Sequence, residues 1–241
     1  MYRLLADHLA QTPPPPSPGP QHPYLLFDGT YLHRPQSLVV VMDALTHTLV
    51  RGQYGVSENA PAQLHAFFAQ LQRDGLSPQS FTVDGNPHVL TVLRALWPDV
   101  VVQRCLVHIQ RQGLAWCRRS PKTPYARQLR DLFLQVPSIR TVADRDTFLA
   151  HWAAWEERYG AQIRGRRESG PVFSDVKRAR SMLVRALPDM VHYLADPQIP
   201  SSTNGLEGYF SRLKAHYRQH RGLHPHNRAQ YFAWYFHFVP R

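Results

Sequence analysis

Apolar and polar positions along residues 24–107 follow two spacings, one typical of strands and one typical of helices. Runs rich in β-branched and aromatic residues predict strands at 24–32, 38–43 and 48–56. Only short polar loops separate these runs, so we expect the three strands to be antiparallel.

The chain then alternates between helices and strands. Apolar residues at helical spacing predict helices at 62–72 and 89–96, and short apolar runs predict strands at 81–83 and from 100 towards 107. Three hairpin strands followed by helix, strand, helix and strand form the ribonuclease-H-like order. We therefore predict an α/β fold with a mixed five-stranded sheet flanked by helices.

The later part of the chain is predominantly helical. Residues 109–199 contain amphipathic segments at 125–134, 145–159 and 177–187, and a last helix is predicted at 205–217. An all-helical insertion is therefore expected before the last helix.

Three regions follow from these patterns. Residues 13–23 are rich in proline. Because proline has no backbone N–H to donate, this segment cannot form a helix or the interior of a sheet, and it is predicted to be an extended spacer. We predict an N-terminal stub and linker at 1–23, a core made of 24–117 and 200–241, and a helical insertion at 118–199.

The net charge of +11 is unevenly distributed. Residues 1–107 carry six Arg and seven Asp and Glu, whereas residues 108–241 carry 22 Lys and Arg and ten Asp and Glu. A basic half beside a nearly neutral half favours nucleic acid as a partner. A high-arginine genome would also explain the excess of basic residues, because 25 of the 28 are Arg.

Cysteine content and hydropathy exclude several classes of protein. Cys105 and Cys117 are too few for a four-cysteine zinc site or a disulfide framework. No apolar run approaches the ~20 residues that span a bilayer, and the first residues do not resemble a signal peptide. We expect a cytoplasmic protein with reduced thiols and no membrane partner.

Two aspartates end apolar, strand-like runs. Asp28 lies in the motif FDGT and Asp84 in the motif VDGN, each followed by glycine. A hairpin turn is the ordinary alternative, because Asp-Gly is a favoured turn sequence. This alternative is weaker for Asp84, since the following segment is helical and open α/β sheets place ligands at such strand-to-helix corners.

A third acid, Glu207, lies in the first turn of the last predicted helix, within TNGLEG. The alternative here is a capping box with Asn204 as the N-cap and Glu207 at N3. Ser211, Lys214 and Arg218 continue the stripe that starts at Glu207, as expected for a track along DNA phosphates or for a solvated basic face.

Several other groups carry ambiguous signals. His216 and His220 are spaced for chelation and are followed by His224 and His226, but contacts with DNA or solvent are the favoured interpretation. Trp116, Trp152 and Trp155 in the helical region 109–199 could stack on an unpaired base. For Trp152 and Trp155, spaced by three residues, a place in the core is the simpler prediction.

Taken together, these motifs resemble the catalytic domain of the Mutator-like transposases, in their bacterial insertion-sequence branch. The similarity covers roughly residues 24–235 and is carried by FDGTY at 27–31, TVDGN at 82–86, QRCLVH at 103–108 and PSSTNGLEGYFSRLK at 200–214, with HRGL following at 220–223.

The resemblance implies a ribonuclease-H-like core interrupted by a helical insertion. It makes Asp28, Asp84 and Glu207 the catalytic metal ligands, holding two Mg²⁺ ions for which Mn²⁺ can substitute. These ions would serve hydrolysis and transesterification of DNA phosphodiester bonds. Three further residues are expected near the site as supporting groups, namely Cys105, His108 and Asn204.

The resemblance also implies partners and a location. The expected partner is double-stranded DNA, both the terminal inverted repeats of an element and its target, bound by a homo-oligomer near the bacterial nucleoid. The residues expected to contact DNA are Arg212, Lys214, Arg218 and Arg221.

Two other functions remain open at this point. Members of this family carry an N-terminal DNA-binding region for which there is no room before the proline-rich linker, so we expect it to be missing. An inactive or repurposed transposase-derived DNA-binding protein is therefore one alternative. A nuclease that cuts DNA without joining it is the other.

Overall fold

The computed structural model describes residues 11, 13, 22–33, 36–165, 171–220 and 222–240. The chain divides into two compact units. The sheet unit comprises the described residues up to 102 and from 198 onward, and the helical unit comprises those within 103–197. Most of the predicted stub and linker at 1–23 lies outside the described residues.

A five-stranded sheet forms the centre of the sheet unit, with the strand order β3-β2-β1-β4-β5. β1 pairs antiparallel with β2 and parallel with β4, and β2 pairs antiparallel with β3. The mixed five-stranded sheet is confirmed, and it is consistent with a ribonuclease-H-like fold. The strands are β1 (Tyr24–His33), β2 (Gln36–Asp43), β3 (Leu49–Val56), β4 (Ser80–Val83) and β5 (Val101–Arg104).

Helices in the sheet unit are α1 (Pro61–Arg73), α2 (Pro87–Leu96), α8 (Asn204–Arg218) and α9 (Arg228–Phe238). Those in the helical unit are α3 (Leu106–Cys117), α4 (Pro124–Gln135), α5 (Val142–Trp155), α6 (Ala161–Gly165) and α7 (Pro171–Ala186), with a π-helical turn at Glu156–Gly160.

Strand alternation gives the sheet two apolar faces. On β1, Leu25 and Phe27 belong to one core cluster and Leu26 belongs to the other. The first cluster contains Phe68 of α1, and the second contains Leu206 of α8. The sheet is therefore covered by α1 and α2 on one face, the α1 face, and by α8 and α9 on the other, the α8 face.

The end of β5 differs from the prediction. The sequence predicted a strand running towards Val107, but β5 ends at Arg104 and α3 starts at Leu106. Leu106, Ile109, Gly113 and Cys117 are the buried positions of α3. Their spacing is helical, so burial of one helix face decides the conformation of these residues.

The helical unit has its own core. Trp152 and Trp155 are buried and their rings stack with centroids 5.4 Å apart. The indole of Trp155 also donates to the carbonyl of Tyr125 at 2.9 Å. The prediction that these tryptophans are core residues is confirmed. Among the helices that the structure describes, none has the length and apolar character to cross a membrane.

Candidate active site

Asp28 lies on β1, and Asp84 directly follows β4, the parallel neighbour of β1. Leu26 of β1 is paired with Thr82 of β4, and each aspartate lies two residues further along its strand direction. Neighbouring strands lie ~4.8 Å apart. The sheet therefore places the backbone of one aspartate beside that of the other.

Both aspartates belong on the α8 face. Asp28 is paired with Val40, which packs in the cluster of the α8 face together with Leu26. Thr82 donates its hydroxyl to the carbonyl of Pro200 at 2.7 Å, in the segment that leads into α8. Because side chains alternate along a strand, Asp28 follows Leu26 to this face, and Asp84, the first residue beyond β4, is expected on the same side as Thr82.

Local hydrogen bonds orient the two carboxylates. Asp28 Oδ1 accepts from the backbone N–H of Gly29 at 2.8 Å, and Asp84 Oδ1 accepts from the N–H of Asn86 at 2.8 Å. Asn86 in turn accepts from His88 N at 2.9 Å and so caps α2. A backbone N–H one or two residues further along the chain therefore holds each aspartate.

The structure decides between the two interpretations of each Asp-Gly pair. β1 continues through Gly29 to His33, so Asp28 does not begin a hairpin turn. Gly85 has a φ of +94° and connects β4 to α2. Asp84 therefore lies at the strand-to-helix corner that the sequence predicted.

Glu207 lies in the first turn of α8. The N-cap of α8 is Thr203, which makes no side-chain capping hydrogen bond, and Asn204 is already the first helical residue. The capping box with Asn204 as N-cap is therefore wrong. Thr203 is buried, and this fixes the helix start one residue earlier than the cap preference of Asn suggested.

The start of α8 packs directly against β1. A Cβ added to Gly205 would lie 3.3 Å from Leu26 Cδ1 and 3.8 Å from His47 Nε2. Leu206 is fully buried, whereas Glu207 is partly exposed. Glu207 thus sits on the helix that covers the face carrying Asp28 and Asp84.

The three carboxylates are not assembled into one cluster. Across the described residues, no group of three or more His, Cys, Asp and Glu side chains is placed to hold a metal ion. The structure therefore brings Asp28 and Asp84 to adjacent strands and places Glu207 above the same face, without joining all three.

The structure also reveals Glu58, which no sequence motif indicated. A Cβ added to Gly29 would lie 1.4 Å from Glu58 Oε1, so this carboxylate lies against the backbone beside Asp28. The carbonyl of Glu58 accepts from Asn86 Nδ2 at 3.3 Å. Glu58 follows β3 in an unremarkable loop, and only the tertiary structure brings it to the aspartates.

Cys105 and His108 belong to the helical unit. Cys105 is the N-cap of α3 and is completely buried, and His108 lies partly buried in the first turn of that helix. Nearby, the buried side chain of Gln103 accepts from His192 N at 2.9 Å and donates to the carbonyl of Arg104 at 2.7 Å. The supporting role of Cys105 and His108 near the active site remains a prediction.

Basic residues line the outer part of α8. Arg212 and Arg218 are exposed and Lys214 is partly exposed, while Arg221 lies outside the described residues. The guanidinium of Arg212 lies 5.9 Å from the ring centre of Tyr209, a cation–π geometry. Burial raises the pKa of the Tyr209 hydroxyl above its usual range, and this hydroxyl donates to the carbonyl of Val239 at 2.9 Å.

The late histidines pack on aromatic rings. The ring centres of His216 and Tyr235 are 5.7 Å apart, and those of His220 and Tyr231 are 5.0 Å apart. Both tyrosines belong to α9. His216 therefore contributes to the contact between α8 and α9, and His220 extends this contact just beyond the end of α8.

Comparison with known proteins identifies one family. The family model described as "Transposase, Mutator family" matches residues 50–228. This segment includes Asp84 and Glu207, whereas Asp28 precedes it. A comparison with curated proteins finds no match.

Proposed function

The chain belongs to the Mutator family of transposases, and we propose that Asp28, Asp84 and Glu207 are the carboxylates with which it cuts element ends and joins them to target DNA. The observation that carries this proposal is that Asp28 on β1 and Asp84 just beyond β4 each lie two residues after the paired residues Leu26 and Thr82, next to the face covered by α8.

The donor set suits Mg²⁺ or Mn²⁺, because these cations prefer carboxylate oxygens. Asp28 and Asp84 come from neighbouring strands and Glu207 from the helix above them. Two cations held by these carboxylates would supply Lewis-acid activation of the attacking water or 3′-hydroxyl and stabilisation of the leaving oxygen. Since the described residues form no group of three such side chains, the three carboxylates must converge further when cations and DNA bind.

The remaining groups orient the two aspartates and neutralise the negative charge of the DNA. The N–H groups of Gly29 and Asn86 hold one oxygen of Asp28 and of Asp84 in fixed directions. Lys214 and Arg218 extend from Glu207 along α8, so they place positive charge where the DNA strand leaves the carboxylates. Catalysis by this chain is then mainly positioning and charge neutralisation.

DNA is the substrate that the family implies, and element ends and target are both double-stranded. Joining two ends to one target requires two active sites, so we propose a homo-oligomer on DNA. Light scattering of the chain with and without duplex DNA tests this, and a monomer under both conditions would contradict it.

A non-catalytic DNA-binding protein derived from a transposase is the second candidate. The observation that favours it is the lack of a three-carboxylate cluster among the described residues. In this alternative the basic α8 surface binds DNA and the acids have no chemical role.

Nicking of supercoiled plasmid with Mn²⁺ separates the two candidates. If the chain is a transposase, the parent chain nicks the plasmid, and nicking is lost in Asp28→Asn, Asp84→Asn and Glu207→Gln. The matched control is Asp99→Asn, an exposed acid of the sheet unit that is expected to nick like the parent chain. DNA binding without nicking, or nicking that survives Asp28→Asn, contradicts the catalytic proposal.

A nuclease that only cuts is distinguished by its products. Labelled duplexes of random sequence, each with a free 3′-hydroxyl, are incubated with plasmid and the chain. Transfer of the label to plasmid indicates strand joining, and nicking without transfer indicates a nuclease.

A further inference from the structure

Glu58 lies in the loop 57–60 between β3 and α1. The loop is closed on itself and on α1, because Ser57 N donates to Gln63 Oε1 at 2.7 Å and Ala60 N donates to the Ser57 carbonyl at 3.0 Å. Glu58 is partly exposed as a whole, but its Oε1 is shielded from solvent. The turn is therefore well anchored, and the Oε1 atom of Glu58 is shielded from solvent.

The carboxylate of Glu58 occupies the space beside Gly29. A Cβ at Gly29 would lie 1.4 Å from Oε1 and 2.6 Å from Cδ of Glu58. Gly29 is the residue whose N–H donates to Asp28 Oδ1. Glu58 thus supports the peptide that orients Asp28.

The backbone of Glu58 contacts the second aspartate turn. Its carbonyl accepts from Asn86 Nδ2 at 3.3 Å, and Asn86 N donates to Asp84 Oδ1 at 2.8 Å. One residue, Glu58, therefore touches both groups that orient the two aspartates.

Glu58 reaches β1 from the side opposite to the aspartates. Leu25 and Phe27 point to the α1 face and Gly29 continues that alternation, whereas Asp28 belongs with Leu26 on the α8 face. The Glu58 carboxylate consequently acts on Asp28 through the Gly29 backbone, and its role differs from that of a metal ligand.

We propose that Glu58 is a positioning residue, which wedges against Gly29 and braces Asn86 so that Asp28 and Asp84 keep the spacing needed for divalent cations. This role rests on the proposed catalytic function of the two aspartates. This role also explains the glycine at position 29, since any side chain there would displace the Glu58 carboxylate.

The test compares Glu58→Ala with Glu58→Gln. Glutamine keeps the shape of the wedge, whereas alanine removes it. Groups that orient metal ligands typically contribute about 10–100-fold to metal affinity or activity, so Glu58→Ala is expected to weaken Mn²⁺ binding by about tenfold or more. Glu58→Gln is expected to change Mn²⁺ binding by clearly less than the lower end of that range, about tenfold.

Mn²⁺ binding is measured directly, as the free Mn²⁺ remaining in electron paramagnetic resonance titrations, and plasmid nicking is measured against Mn²⁺ concentration. Circular dichroism verifies folding of each variant. Asp99→Ala, which removes an exposed acid of the same unit, serves as the control and is expected to match the parent chain. Affinity for duplex DNA is expected to be unchanged in all variants.

Gly29→Ala approaches the same contact from the other side. The added methyl group must push the Glu58 carboxylate away, so this variant is expected to reproduce the weaker Mn²⁺ binding of Glu58→Ala. Because both changes disrupt one contact, the double variant is expected to be no worse than either single variant.

The outcomes separate this inference from the proposed function. A parent chain that binds Mn²⁺ but never nicks DNA contradicts the catalytic function alone. Unchanged Mn²⁺ binding in Glu58→Ala overturns the positioning role. Equal losses in Glu58→Gln and Glu58→Ala also overturn it, since the carboxylate charge rather than its shape would then be required.

Discussion

Asp28 and Asp84 lie two residues beyond Leu26 and Thr82, which are paired across the parallel strands β1 and β4. Two carboxylates at one level of a sheet repel each other unless a cation lies between them. The arrangement is well suited to binding a divalent cation.

Neutralising one aspartate is therefore expected to preserve or raise stability. In EDTA, Asp28→Asn should raise the free energy of unfolding by about 0.2–1 kcal/mol, because it removes a like-charge pair between neighbouring strands. Thermal unfolding followed by circular dichroism, with EDTA and then with Mn²⁺, measures this. Mn²⁺ should stabilise the parent chain and have no effect on the variant. A variant that is clearly less stable in EDTA would mean that Asp28 has a structural role.

Gly52 is expected to be essential for the contact between β3 and α9. A Cβ at this position would lie 2.6 Å from Cζ and 2.7 Å from Cδ1 of the buried Phe236 ring. Gly52→Ala should lower the free energy of unfolding by about 1–3 kcal/mol, as overpacking does in a core. Urea denaturation measures the loss. The Gly52→Ala/Phe236→Leu double variant should recover part of it, and strictly additive losses would contradict the contact.

Glu156 is expected to make the helical unit sensitive to acid. Hydrogen bonds and charges from Arg180 and Arg164 lower the pKa of Glu156, although burial acts in the opposite direction. A lowered folded-state pKa means that the stabilisation is complete above the unfolded pKa of about 4.3 and is lost as the pH falls below it.

Glu156→Gln should accordingly reduce stability at pH 7 by about 1.5–3 kcal/mol, the range for hydrogen bonds to charged groups. The difference between parent and variant should shrink as the pH approaches 3. Urea denaturation of the parent chain and the variant at pH 7, 5 and 3.5 measures this difference. A difference that stays constant with pH would show that the ion pair does not contribute.

The basic side chains of α8 are expected to control the salt dependence of DNA binding. Each phosphate contact contributes about 0.9 to the slope of log K against log salt concentration. Lys214→Ala and Arg218→Ala should each reduce this slope by about 1, measured by fluorescence anisotropy with duplex DNA. Arg73→Ala, at the end of α1 on the other side of the sheet, is the control. An unchanged slope in both α8 variants would place the DNA elsewhere.

Much of the fold follows from local patterns. Alternation of apolar residues predicted β1, β2 and β3, and helical spacing predicted α1, α2 and α8 within a few residues of their observed bounds. Local periodicity is sufficient here because each element buries one continuous apolar face.

Element ends were predicted less well. β5 ends at Arg104 because Leu106 and Ile109 bury the face of a helix, and α8 begins after Thr203 rather than after Asn204. Both ends depend on which residue is buried by neighbouring elements, and the local sequence offers acceptable alternatives on either side.

For the candidate site, the sequence by itself determined the types of the three acids and, through strand alternation, that Asp28 lies among apolar residues of a strand. Only the tertiary structure decided that Asp28 and Asp84 come from neighbouring strands, that no three acids among the described residues form a metal group, and that Glu58 lies against Gly29. These relations join residues distant in sequence. They depend on strand register and on the space left by a missing side chain, and neither is encoded in any short stretch of the chain.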